Sequence, residues 1–171
     1  MGFGSLKDLY LDELALLYDA ELQVARIIPR LSEAAHNTLL RETLAKQGRE
    51  SLLHLERIEL IFTHWGERRP LRTSAGLAGI VQEADERLNQ ETTPDARDAV
   101  VIGIAQRIAH YEMAVYGSVR MCALRLNRRD EARLLQETLD EESRADNRLS
   151  AIADATPADV AIADVAPGHP A

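Results

Sequence analysis

Little in this chain favours β-structure. Aromatic residues make up 4% of its 171 residues, and it holds 9 glycines and 6 prolines. So few β-formers and turn residues exclude a strand-rich fold and leave an all-α one. Cys122 is the single cysteine, so no intrachain disulfide can form and a reducing compartment is expected. Basic residues number 20 against 28 acidic ones, a net charge of −8. No basic face is left to follow a phosphate backbone, which excludes the usual nucleic-acid binders. Runs of about 18 apolar residues are missing, so no membrane span is expected. The opening "MGFGSLKDLY" has neither the basic nor the apolar region of a signal peptide, and the expected location is cytoplasmic.

What is present is a globular balance, 46% hydrophobic and 28% charged, in a length that suits one domain. Helix signals divide it. A first helix starts after Ser5 and runs to about Ala35, with a kink expected at Pro29, whose missing N–H frees a carbonyl one turn back. The turn "HNT" leads to a second helix over about 39–65, which Gly66 ends and Pro70 keeps from resuming. A shorter helix is expected over 73–89, capped by Thr73 or Ser74. Thr93, Pro94 and Asp95 then give a strong start signal for a fourth helix to about Leu126. Asp130 is the expected cap of a fifth, over about 131–153. The stretch 154–171, "DATPADVAIADVAPGHPA", is Ala/Pro-rich and aperiodic, and reads as a flexible tail. Four long helices in two hairpins, with a short helix in the crossover, give a four-helix bundle with one long connection. "LLRETL" (39–44) recurs as "LLQETL" (134–139), an echo between the two halves.

The apolar stripes of the long helices are each interrupted by a carboxylate. Leu14, Leu17, Ala25, Ile28 and Leu31 set a stripe on which Glu21 falls; Val101, Ile104, Ile108 and Val119 set one that includes Glu112; Leu135, Ala145 and Leu149 set one that includes Glu142. The second helix is polar in mid-stripe at Gln47, Ser51 and His54, with Glu50 four residues before His54; Asp146 follows Glu142 at the same spacing. Glu21 and Glu50 are 29 residues apart, Glu112 and Glu142 are 30 apart, so in antiparallel hairpins the carboxylates lie at similar depth. A lone inward carboxylate is usually satisfied by an Arg, a Lys or water, and Arg26, Arg49, Arg107 and Arg144 are near enough in sequence. Several together raise one another's pKa, and a bound divalent metal pair removes that cost. His110 lies about 200° from Glu112 around its helix and is expected to face away, towards the short helix or a partner. Tyr18 and Tyr111 flank the proposed site as hydrogen-bond donors or simple core fillers.

In "YDAE" of the first helix, "HYE" and "YG" of the fourth and "LLQETLDEE" of the fifth, the chain resembles the YciE/YciF family of ferritin-like bacterial proteins, over about residues 5–153. The resemblance implies a ferritin-like four-helix bundle, association with stress, a homodimer and a dimetal site. Its ligands here are Glu21, Glu50 and His54 in the first half and Glu112, Glu142 and Asp146 in the second. Asp146 stands where ferritin-like proteins usually place a His, and the step from Glu50 to His54 is four residues where their motif has three. Such a hard, anionic set suits two iron ions first, with manganese or zinc as alternatives. The implied chemistry is Fe(II) oxidation or peroxide disposal. The competing expectation is a non-catalytic stress or interaction protein with an empty or vestigial site.

Overall fold

The computed structural model describes residues 4–155, and these are all-helical apart from turns and connections. Five helices follow one another: α1 (Leu6–Ala34), α2 (Thr38–Trp65), α3 (Ala75–Leu88), α4 (Pro94–Arg125) and α5 (Arg129–Asp154). The expected tail lies outside the described residues except for Asp154 and Ala155.

Local chemistry sets the helix ends. Ser5 accepts from the Asp8 amide, Asn37 from the Leu40 amide and Thr93 from the Ala96 amide, each satisfying a donor that the first turn leaves free. Pro94 occupies the first turn of α4, and Gly66 closes α2 at φ 62° in the left-handed region. Two expectations change. Asp130 does not cap α5: the helix begins at Arg129, and Asp130 and Glu131 lie in its first turn, where carboxylates favour the helix dipole. The reason is Asn127, whose φ of 58° reverses the chain directly after α4 and lets α5 start earlier. Ser74 holds the N-cap position of α3, but the side-chain cap is missing because its hydroxyl is engaged at 2.8 Å with the Tyr111 hydroxyl.

Helix α1 pairs with α2 and α4 with α5, while α1 packs on α4, α2 on α5, and α3 across α1 and α4. Asp98 of α4 fixes the α1–α2 turn by accepting from the His36 and Asn37 amides at 2.7 and 2.9 Å. On α3, a Cβ at Gly76 would stand 2.7 Å from the Tyr111 ring, so a larger residue there would push α3 off α4. At the far end, buried Glu131 accepts from the Tyr10 hydroxyl and the Trp65 indole and pairs with Arg128, tying the start of α5 to α1 and α2.

The apolar interior is split in two. One cluster gathers Val24, Ile28, Leu40, Leu44, Ile104 and Ile108; the other gathers Leu14, Leu17, Ile58, Ile61, Val119 and Leu135. Burial of each such side chain contributes about 1.5–3 kcal/mol. Ala25 is only half-buried, and Val24 and Ile27 take its place in the stripe. Between the two clusters lies a layer that is buried and polar.

Candidate functional site: a buried layer of carboxylates

Glu21, Gln47, Ser51, His54, Glu112, Thr138 and Glu142 are all buried, with exposures between 0% and 2%. Each comes from the mid-helix position where its stripe was interrupted, so the layer is the sum of four local violations of amphipathicity. Burying carboxylates without compensation costs far more than burying apolar groups. The layer must therefore supply its own compensation, and it does so unevenly.

Glu21 is fully satisfied. Its Oε2 accepts from the Ser51 hydroxyl at 2.6 Å; its Oε1 accepts from the Tyr116 hydroxyl at 2.6 Å and faces His54 Nδ1 at 3.0 Å. His54 is held from both sides, because its Nε2 meets Glu141 at 3.0 Å and Glu142 stands 3.7 Å from its Nδ1. Burial alone pushes the imidazole pKa down, but the hydrogen bond and charge of Glu21, aided by Glu142 and Glu141, leave it raised. With a carboxylate at each nitrogen, the favoured form is the imidazolium.

Glu112 is the opposite case. It is fully buried, and no donor from another residue reaches its carboxyl oxygens; its hydrogen-bonding neighbour is the Glu21 carboxylate, a contact that needs a proton on Glu112. Burial first, and then the charges of Glu21 and Glu142, hold its pKa well above the ordinary carboxylate range. Burial and Glu21 push Glu142 up to about 8, against the lowering effects of His54 and of the Gln47 amide, which donates at 3.4 Å. Gln47 and Glu142 are the two residues that the "LLxETL" echo aligns, and they touch across the α2–α5 seam. Gln47 Oε1 is likewise without a partner.

Of the six residues expected as ligands, the structure brings together Glu21, His54, Glu112 and Glu142. Glu50 is half-buried beside the layer and pairs with Lys46 at 3.1 Å. Asp146 faces α4 and meets His110 at 3.1 Å. His110 thus turns to α5, not to α3, because Asp146 lies one turn beyond Glu142 on the outer edge of that interface. Tyr18 donates to Glu59 and Tyr111 meets Ser74, so neither reaches the layer; Tyr116 does. Its signal was present in the sequence, since it stands four residues after Glu112 on the same face. Arg57 supplies the cation, forking Glu141 at 2.5 and 3.0 Å and donating to Thr138 at 2.9 Å. Only tertiary packing pairs those residues.

In carboxylate-bridged dimetal proteins, two of the four helices each carry a Glu-x-x-His pair. Counting three back from His54 reaches Ser51, and three on from Glu142 reaches Ala145, both buried at 1% exposure. Two donors of that pattern are therefore replaced by a hydroxyl and a methyl. Among the described residues, no three His, Cys, Asp or Glu side chains already converge as metal ligands. The donors are nonetheless hard oxygens and an imidazole around a carboxylate that no donor from another residue reaches, a set that fits a hard divalent ion once hydrogen bonds of Glu21 and His54 are exchanged for it.

The family described as "Domain of unknown function (DUF892)" matches residues 5–161. Protein YciF of Escherichia coli K12 is 30% identical over 154 residues, covering 90% of this chain and 93% of that protein. The crystal structure of the E. coli stress protein YciF superimposes with a TM-score of 0.85, covering 88% of this chain and 95% of that one at 30% identity. YcfI from Rhodopseudomonas palustris, described as a putative structural protein, gives 0.83 at 30% identity, covering 86% and 94%.

Proposed function

The chain belongs to the DUF892 family, and from that premise we propose that it is a ferritin-like four-helix bundle, α3 aside, whose polar layer binds a hard divalent metal ion. The single observation that carries this reading is Glu112, buried completely beside two other carboxylates with no donor from another residue at either oxygen. Iron is the first candidate ion, then manganese and zinc.

Glu21, Glu112 and Glu142 are the inner carboxylates that would hold the ion. His54 would join them by giving up one of its carboxylate partners and the proton on that nitrogen. Four donors suit one ion; the pair expected from sequence needs Glu50 to leave Lys46 and turn inward. When bound, iron or manganese would supply one-electron redox chemistry, the basis for Fe(II) oxidation, iron handling or peroxide removal under stress. The protein's own part is to exclude water with two apolar clusters and to hold protons on Glu112 and Glu142 until the ion replaces them. Association into a homodimer in the cytoplasm belongs to the same reading.

A second reading has its own support. With Ser51 and Ala145 in place of donors and His54 bound at both nitrogens, protons alone can neutralise the layer, giving a non-catalytic stress or interaction protein. Reconstitution with Fe(II) under anaerobic conditions, followed by metal analysis and melting, separates the two. The metal reading expects retained iron and a raised melting temperature; the other expects neither.

A further inference from the structure

Among the described residues, side-chain polar contacts join α2 to α5 at two places: Trp65 to Glu131 at the start of α5, and, at the level of the buried layer, Gln47 to Glu142, His54 to Glu141 and Glu142, and Arg57 to Thr138 and Glu141. Only the second set is continuous with the layer. Along this seam exposure rises outward, from 0% for the His54 side chain and 3% for that of Glu142 to 17% for Glu141, 18% for Glu50 and 21% for Arg57. The seam is a polar path that connects solvent to the layer.

Resting on the metal reading, we propose that a divalent cation reaches the buried carboxylates through the α2–α5 seam, and that the Arg57–Glu141 ion pair bars that route. Glu50 and Glu141 stand at its mouth, each held by one cation of the protein. Lys46 holds Glu50 through a single contact from a half-exposed side chain, a pair that exchanges readily. Arg57 holds Glu141 through both guanidinium arms and is also anchored on Thr138, a geometry that gives up its carboxylate far less easily. A guanidinium at the mouth also repels an approaching divalent ion. Beyond it lies Glu112, which no cation or donor of the protein meets, the terminus to which a divalent ion is drawn. Glu50 and Glu141 thus serve as transfer carboxylates, and Arg57 sets the rate without belonging to the ligand set.

The test is the rate at which the full chain takes up Mn(II), read from loss of the free-ion electron paramagnetic resonance signal after rapid mixing. Arg57→Ala is expected to speed uptake about tenfold or more, a barrier change of about 1.4 kcal/mol, with the final stoichiometry unchanged. Arg57→Lys restores a cation and is expected to bring the rate most of the way back. If Arg57→Ala fails to fold, as circular dichroism would report, Arg57→Gln removes the charge while keeping a polar donor and is expected to speed uptake too. Full stoichiometry with an Arg57→Ala rate within about twofold of the parent would overturn the barred route and leave the metal reading standing. No uptake by either protein would overturn both.

Discussion

The Tyr116 hydroxyl and the His54 imidazole converge on one oxygen, Oε1 of Glu21, at 2.6 and 3.0 Å. This makes Glu21 the settled carboxylate of the layer and Glu112, with no donor at all, the unsettled one. Tyr116→Phe keeps the ring and removes only the donor. A loss of about 1–3 kcal/mol is expected, because Glu21 stays buried with one bond fewer. In a chain of this size that lowers the melting temperature by about 2–12 °C. An unchanged melt would show that the phenol is merely packed.

Stability of the metal-free protein is expected to fall as pH rises. The folded state holds a proton on Glu142 up to about pH 8, whereas the unfolded chain releases it near 4.5. The contribution is therefore complete below about pH 4.5 and is lost progressively as pH climbs through 8. His54 and Glu112 are raised too and act with the same sign. Glu141, lowered by Arg57, acts oppositely: its contribution is lost as pH falls through its own pKa. Melts of the parent and Glu142→Gln between pH 5 and 9 test this, and the variant should show a clearly flatter slope.

The placement of Glu50 and Asp146 makes a prediction about ligands. Glu112→Gln should weaken Mn(II) binding by about 10–100-fold, while Asp146→Asn should change it by less than about threefold. Glu50→Gln should slow uptake more than it weakens final affinity. Equal losses at Asp146 and Glu112 would return Asp146 to the ligand set.

Ser51 and Ala145 mark where donors are missing from the Glu-x-x-His pattern. Restoring them together, Ser51→Glu with Ala145→His, is expected to raise binding from about one Mn(II) to about two per chain. A double variant that folds but binds no more than the parent would show that the layer has no room for a second ion.

These points also show how much was legible in the sequence. Helix ends followed from Ser5, Thr93–Pro94 and Gly66, because capping is a local matter. The depth of Glu21, Glu112 and Glu142 followed from periodicity, since each sits on its own stripe. Glu50 misled because it stands one residue before Ser51, about 100° off the buried line of α2, at the shoulder of the stripe. Arg57 and Glu141 were invisible for a different reason. They are 84 residues apart and meet only when α2 and α5 pack, and no local pattern marks such a pair. The aligned "LLxETL" segments held a usable hint that went beyond composition, for Gln47 and Glu142 are in contact.

Calorimetric titration of the metal-free protein with Mn(II) in buffers of different ionisation enthalpy, at pH 7, tests the central claim most directly. If the layer exchanges protons on Glu112, Glu142 and His54 for a cation, binding proceeds to about one ion per chain with release of about two to three protons, and Glu112→Gln releases fewer. Binding of less than about half an equivalent, or binding without proton release, would contradict the account.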